Sequence, residues 1–583
     1  MSNSQFKEII QNGYESKGLN SPIGVAVFEK VPIEGLVVSM PLKMLNRHGL
    51  IAGATGTGKT KTLQVIAEQL SRNGIPSILM DLKGDLGGLA VPGKENDNVE
   101  ARRKLFNGSY EYVYQGFPVN ILSIGEDEGV SIKASIQEIG PVLLSKILGL
   151  NNVQTGIISI VFKYCEDKEL ELNTIADLKF FITKICEENK DIKDNYGNIS
   201  GASVTTILRN IAELEQQGGN FLIGTPSLDV NDLIMNNEAE NGVLSIIRLT
   251  ELQDKPALFS TFIIYLLSKL YSTLPEVGDL EKPKLVMFID EAHLLFNNTN
   301  KIIQDKIESV IKLIRSKGVG IIFCTQTPAD ISENVLGQLG LKIQHSLRAF
   351  TSKDRKSVKM MAQNFPETSF YDVEEDLTSL GIGEAFVTLL KEDGTPSPLV
   401  KIIMAPPLSR MGVLEDKELA KVINCSPLKS KYGTKNNIIT KPSAVLEDFY
   451  KKLKIIKEKE KLAEQQEKER EKQKVKQATA TKRVPMPKRQ SLTNMMLDAM
   501  MPMTNMFSNM SMMGGINNGM NNPTSLTQYY YTKDGQQYGP VSEFQISNSI
   551  LSGEINTFTY LWKPGMADWA VATNFPEFHN LLK

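Results

Sequence analysis

Along the first 440 residues, short apolar runs alternate with amphipathic segments. "IPSILMDL", "KPKLVMFIDEAHLLF" and "GVGIIFCTQTP" are each brief, β-rich and followed by turn or helix signals. That alternation predicts an α/β fold built on a parallel sheet, with a largely helical insertion at about 100–275. Near residue 440 the pattern stops. Residues 441–480, typified by "LEDFYKKLKIIKEKEKLAEQQEKEREKQKVKQ", favour helix but offer few positions to bury, and the heptad seam dies out after Leu462. They predict a charged, solvated helical spacer. Residues 481–527 contain a Met/Asn/Ser/Gly tract too biased to pack a core. This segment is expected to be a disordered linker whose methionines offer a soft, adaptable surface. Order returns at 528–583, where both tryptophans of the chain, Trp562 and Trp569, join Tyr529, Tyr530, Tyr531 and Tyr538. Such aromatic density serves a core, peptide capture, or both.

Composition narrows the choice only slightly. The chain has 583 residues, enough for several domains, and its net charge of −2 gives no global signal for nucleic acid. A polyanion site must therefore be local. The four cysteines (Cys165, Cys186, Cys324, Cys425) are scattered without zinc or disulfide spacing, which suits a reducing cytoplasm. "MSNSQFKEII" lacks the features of a leader, and Ser268 and Lys269 break the longest apolar run, so neither a signal peptide nor a membrane helix is expected.

The chemistry is carried by "NRHGLIAGATGTGKTKTLQ". Gly53, Ala54, Thr55, Gly56, Thr57, Gly58, Lys59 and Thr60 satisfy G-x-x-x-x-G-K-[ST] between an apolar strand and an amphipathic helix. The glycines let consecutive N–H groups face phosphates, Lys59 reaches the β- and γ-phosphates of ATP, and Thr60 ligates Mg²⁺. A second element, "LVMFIDEAH", ends an apolar strand with Asp290 for the metal shell and Glu291 for the attacking water. The acidic pair predicts an ATPase that turns over. His293 is read as a surface or packing residue. Gln326, near the end of "GVGIIFCTQTP", is either a γ-phosphate sensor or a simple strand-end cap. Arg315 and Arg348 are placed either to complete a neighbouring subunit's site or to serve as ordinary surface cations.

"SILMDLKGDLGGLA", "LPEVGDLEKPKLVMFIDEAHLLF", "IRSKGVGIIFCTQTPADI" and "VLGQLGLKIQHSLRAFT", taken with the phosphate loop, resemble the YjgR-type branch of the HerA/FtsK superfamily of P-loop ATPases. The resemblance covers about residues 20–412. It implies a RecA-like core within an ATPase domain at 1–440, a homo-oligomeric ring of hexameric type, and an ATP-driven motor of the kind that pumps DNA. The matched motifs give Lys59, Thr60, Asp290, Glu291 and Gln326 their binding, metal, water and sensor roles. Arg315 and Arg348 match positions where relatives place trans- or cis-acting arginines. About fifty residues precede Gly53, too few for the small N-terminal β-barrel of DNA-processing HerA proteins. The C-terminal "DGQQYGP", "LSGEI" and "LWKPGMADW" resemble the bacterial GYF-like domain, a small α+β fold. That likeness implies a face for proline-rich peptides, with Tyr530, Tyr538, Trp562 and Trp569 as its candidates.

Two functions remain open from sequence. One is a DNA-translocating ring, although the insertion offers little conspicuously basic text beyond "ARRKLF" for a pore. The other is an ATPase that remodels or scaffolds proteins recruited by the C-terminal domain, without acting on DNA.

Overall fold

The computed structural model describes residues 2–452 and 528–581, apart from 189–198, 297–300, 435–440 and a few single or short interruptions. It divides into two compact units, Met1–Ala480 and Thr481–Lys583. The first is organised by a mixed sheet of β1 (Asn20–Phe28), β2 (Val31–Pro41), β3 (Gly49–Ala52), β4 (Ser77–Asp81), β5 (Val119–Ser123), β6 (Val130–Ser131), β7 (Leu244–Arg248), β8 (Leu285–Ile289), β9 (Val319–Thr325), β10 (Leu341–Gln344), β11 (Glu384–Leu389) and β12 (Val400–Met404). Their order is β2-β1-β12-β11-β10-β3-β9-β8-β4-β7-β5-β6.

From β10 to β6 every neighbouring pair is parallel. All residues of β3, β4, β8 and β9 are buried, as strands covered by helices on both faces must be. The parallel arrangement brings the C-terminal ends of these strands to one edge, where the loops carrying polar side chains gather. On the other flank the β1–β2 hairpin joins antiparallel through β12, pairing Gly24 with Met404. The strands that precede the phosphate loop therefore extend this same sheet.

The expected helical insertion is helical only in part. β5, β6 and β7 lie within it and extend the main sheet, and the helical lobe is confined to Ile136–Leu222. The apolar helix Pro256–Thr273 packs against Lys301–Ile314 and Ile136–Ile147, which accounts for its nearly continuous burial from Leu258 to Leu267. Among the described residues no helix is long and apolar enough to cross a membrane.

The first unit also continues past residue 440. Leu446 is buried in its core with Phe449 packed alongside, and the Ser443 N–H donates to Asp177 Oδ1 at 2.7 Å. The i, i+3 spacing of Leu446 and Phe449 places both on one helix face, so the start of the expected spacer is a docked turn. Most of the remaining spacer and all of the 481–527 linker lie outside the described residues.

In the second unit β13 (Gln528–Lys533), β14 (Gln536–Ser542), β15 (Tyr560–Trp562) and β16 (Ala570–Val571) form an antiparallel sheet in the order β14-β13-β15-β16. Its core is Tyr529, Tyr531, Ile546, Ile550, Ile555, Leu561, Ala572, Phe575 and Phe578. Neither tryptophan belongs to it.

Candidate nucleotide site

The phosphate loop leaves β3 at Gly53. A Cβ there would lie 2.5 Å from His345 Cβ, and the backbone has φ 152°, so only glycine fits. Further round, Gly58 (φ 115°) would bring a Cβ within 3.3 Å of Gly383, whose N–H donates to Thr57 O at 2.9 Å. The loop thus rests on the turn before β11. Gly58 begins the helix Lys59–Arg72 with no side-chain cap, leaving the first N–H groups of a fourteen-residue helix for an anion. Buried Glu68 anchors that helix by accepting the Leu408 and Ser409 N–H groups at 2.8 and 2.9 Å.

Lys59 Nζ donates to the carbonyls of Gly53 (2.7 Å) and Ala54 (3.1 Å). Its ammonium is thereby folded over the concave side of the loop. Burial pulls its pKa down, while the carboxylates of Glu291 and Asp290 oppose the shift. Thr55 and Gly56 are exposed, and Ala54, Thr57, Gly58, Lys59 and Thr60 are half-buried.

His345 supports the loop from beneath. Its Nδ1 lies 2.8 Å from Glu384 O and its Nε2 2.9 Å from Thr62 Oγ1. A carbonyl only accepts, so Nδ1 carries the proton and Nε2 receives the Thr62 hydroxyl. Burial lowers the His345 pKa from 6.5 to about 4. Between those values the unfolded chain binds a proton that the folded one excludes, so this residue's contribution is present above pH 6.5 and lost as pH falls toward 4. Urea unfolding of wild type and His345→Gln should show the stability difference shrinking across that window by up to about 3 kcal/mol. A pH-independent difference would mean that His345 does not stay neutral.

β8 delivers the acidic pair. β9 lies between β3 and β8, so the loop and the pair emerge two strands apart at the same sheet edge. Asp290 is buried, and burial raises its pKa against the pull of Lys83. Glu291 adopts φ 49°, a left-handed conformation costly for a residue with a side chain. Burial pushes its carboxyl up, but Lys83, His293 and Lys59 outweigh that and hold it below its ordinary value. Glu291 Oε2 is buried without a hydrogen bond, with His293 Nδ1 standing 3.3 Å away.

Lys83 is a site residue that the motif reading missed. Two residues beyond β4, its ammonium lies 2.7 Å from Glu291 Oε1 and 3.7 Å from Asp290 Oδ2. Asp81 fixes its loop: Oδ1 accepts the N–H groups of Lys83, Gly84 and Asp85, and Oδ2 accepts that of Leu86. The string "DLKGD" was the available signal.

Gln326 is exposed at the rim, one residue after Thr325, whose carbonyl accepts the Gly53 N–H at 3.2 Å. Arg348 also comes to the loop, donating from Nη2 to Thr55 O at 3.1 Å within its own chain. Arg315 does not. It lies in the turn before β9, at the opposite end of the strand from the site, where its charge adds to the burial that lowers the pKa of His48. Arg102, from "ARRKLF", is folded onto the turn beneath the loop, donating to Ile382 O at 2.7 Å. It is therefore committed to the fold of the site and is not a free pore cation.

The C-terminal candidates separate into two groups. Tyr530 pairs across the sheet with half-buried Trp562, their ring centroids 5.6 Å apart, whereas exposed Tyr538 stacks at 5.3 Å on the core residue Tyr531. Adjacent strand residues point to opposite faces, so Tyr538 does not share the Tyr530–Trp562 face. Trp562 Nε1 donates to Met566 O at 2.9 Å, and Trp569 is half-buried.

A parallel sheet that presents a glycine-rich phosphate loop from one strand and an acidic pair two strands away defines a P-loop nucleoside triphosphatase fold. Residues 30–518 match the model of the helicase HerA-like C-terminal family, and the chain belongs to that family. It is 25% identical over 355 residues to the DNA double-strand break repair helicase HerA of Sulfolobus acidocaldarius, covering 60% of this chain and 64% of that protein. With the HerA of Saccharolobus solfataricus it shares 22% identity, covering 66% of this chain and 67% of that one. The chain thus spans less than two thirds of the first relative's length. Among solved structures it is similar to the bacterial conjugative coupling protein TrwB, at 12% identity and a TM-score of 0.45 over 70% of this chain and 93% of that one. Residues 529–578 match the model of GYF domain 2.

Proposed function

We propose that the chain is an ATP-hydrolysing motor that acts on DNA as a hexameric ring. The observation that carries this reading is the meeting of the Lys59 loop and the Asp290–Glu291 pair at one sheet edge in a HerA-like chain. The loop N–H groups and Lys59 bind and orient the β- and γ-phosphates, with Gln326 at the rim to face the last of them. Thr60 and Asp290 would hold Mg²⁺, which when bound neutralises charge developing on the phosphates. Among the described residues no group of three or more His, Cys, Asp or Glu forms a metal cage. Magnesium needs none, since one or two protein ligands suffice beside phosphate oxygens. Glu291, with one buried oxygen unbonded, holds the attacking water and draws on its proton.

The relatives' names supply DNA as the substrate class, and the test is direct. Single- or double-stranded DNA at low salt should raise the ATPase rate several-fold, with the stimulation fading as salt is added. A rate indifferent to both forms at every salt concentration would remove DNA from the proposal.

A second reading, recruitment of a protein partner, is favoured by the Tyr530–Trp562 pair lying outside the small core. The segment from about 527 to 583 should bind proline-containing peptides at roughly micromolar affinity or weaker. Copies tethered in a ring would gain two decades or more in avidity toward a multivalent partner. Tryptophan fluorescence of the full chain and of Trp562→Phe, titrated with a varied peptide set, reads this. A flat response in both would leave the domain a structural appendage.

A further inference from the structure

Two ammonium groups face the two carboxylates of the site, and the mechanism above uses only Lys59. The other, Lys83, occupies Glu291 Oε1 at 2.7 Å. The ammonium on Oε1 offsets the carboxylate's charge and blunts it as a base for water, although Oε2 stays open, so the pair as it stands works against hydrolysis. Its geometry is determined on both sides. Four N–H groups on the Asp81 carboxylate fix the loop that carries Lys83, and the left-handed backbone at Glu291 fixes the direction of its partner. Only the lysine stem has freedom, since 42% of its side chain is exposed. Lys59 feels the charges of the same Glu291 and Asp290 carboxylates that Lys83 contacts, so both ammonium groups belong to one cluster at the strand ends.

We propose that Lys83 restrains Glu291 in the nucleotide-free enzyme and transfers to the γ-phosphate when a triphosphate binds, releasing the glutamate to hold water. The inference rests on the reading of Glu291 as the water-holding carboxylate. A terminal phosphate carries more negative charge than one carboxylate and presents three acceptor oxygens, so a lysine within reach of both is drawn toward it. ADP ends one phosphate short, so its own terminal group stays in the loop with Lys59 and nothing occupies the γ position. The exchange therefore makes the site sense triphosphate over diphosphate and keeps the glutamate idle until substrate is in place.

Calorimetric binding of ADP and of a non-hydrolysable ATP analogue to the full chain tests this as a double-mutant cycle. Lys83→Ala should weaken the analogue about tenfold and leave ADP unchanged. Glu291→Gln, which removes Lys83's competing partner, should tighten the analogue several-fold. In the Lys83→Ala background Glu291→Gln should have no such effect. Thermal unfolding checks that each variant is folded, and Lys83→Met takes the place of the alanine variant if that one fails it. The proposal is overturned if Lys83→Ala shifts both nucleotides equally or neither, or if Glu291→Gln tightens the analogue without Lys83. Failure of the underlying site reading looks different: it is ATP hydrolysis at the normal rate by Glu291→Gln.

Discussion

Glu291→Gln retains ATP and loses two or more decades of turnover, about 3 kcal/mol of transition-state stabilisation. Glutamine is close to isosteric, so the left-handed backbone at this position and the contact with Ala292, whose N–H donates to Cys324 O at 2.8 Å, have no reason to move. What disappears is the negative charge that orients water and draws on its proton. On the proposed reading the ground-state phosphates are held by the loop and Lys59, on a different strand, so affinity should survive while chemistry stalls. Steady-state phosphate release, together with filter retention of labelled ATP, separates the two effects. Hydrolysis at the wild-type rate would remove Glu291 from its role.

The parts of the site legible in the sequence are those whose geometry is local. Gly53 to Thr60 encode a turn and a helix start within eight residues, and Asp290–Glu291 follow directly from a run of apolar strand residues. Lys83 and His345 were not legible because their meaning depends on sheet order. Lys83 reaches Glu291 across 208 residues of sequence because β4 lies beside β8, and His345 reaches Thr62 across 283 because β10 lies beside β3. Periodicity identifies a strand without saying which neighbour it takes.

The same limit explains the insertion and the domain edge. "VNILS" and "LSIIR" are short apolar runs that periodicity alone cannot separate from buried helix, yet as β5 and β7 they extend the main sheet. The docking of Leu446 rests on one apolar pair inside a run of charge, too little to stand out from a solvated helix. The arginines show a different limit. Arg348 and Arg315 have equivalent standing as cations near strand ends, and only the direction of β9 separates them: its C-terminal end meets the loop, while Arg315 lies before its start.

That separation sets the result expected when subunits are mixed. Lys59→Ala abolishes nucleotide binding, because the ammonium held by Gly53 O and Ala54 O is the cation that the loop offers to the phosphates. Lys83 makes no contact with the loop carbonyls that hold the Lys59 ammonium, and a transfer to the γ-phosphate leaves the β-phosphate without its cation. In a ring, Arg315 lies too far from its own loop to serve it but is exposed for a neighbour. Arg348 bonds Thr55 O of its own chain. Mixing Lys59→Ala with Arg315→Ala subunits should therefore restore part of the ATPase activity, since random assembly gives about a quarter of interfaces an intact loop and an intact arginine. Mixing Lys59→Ala with Arg348→Ala should restore none, because every loop then lacks either its lysine or its own arginine. Native mass spectrometry confirms that mixed rings form, and phosphate release reads the outcome. Recovery with Arg348→Ala would make that residue the one shared between subunits, and recovery with neither would make Arg315 a surface cation at the far end of the sheet.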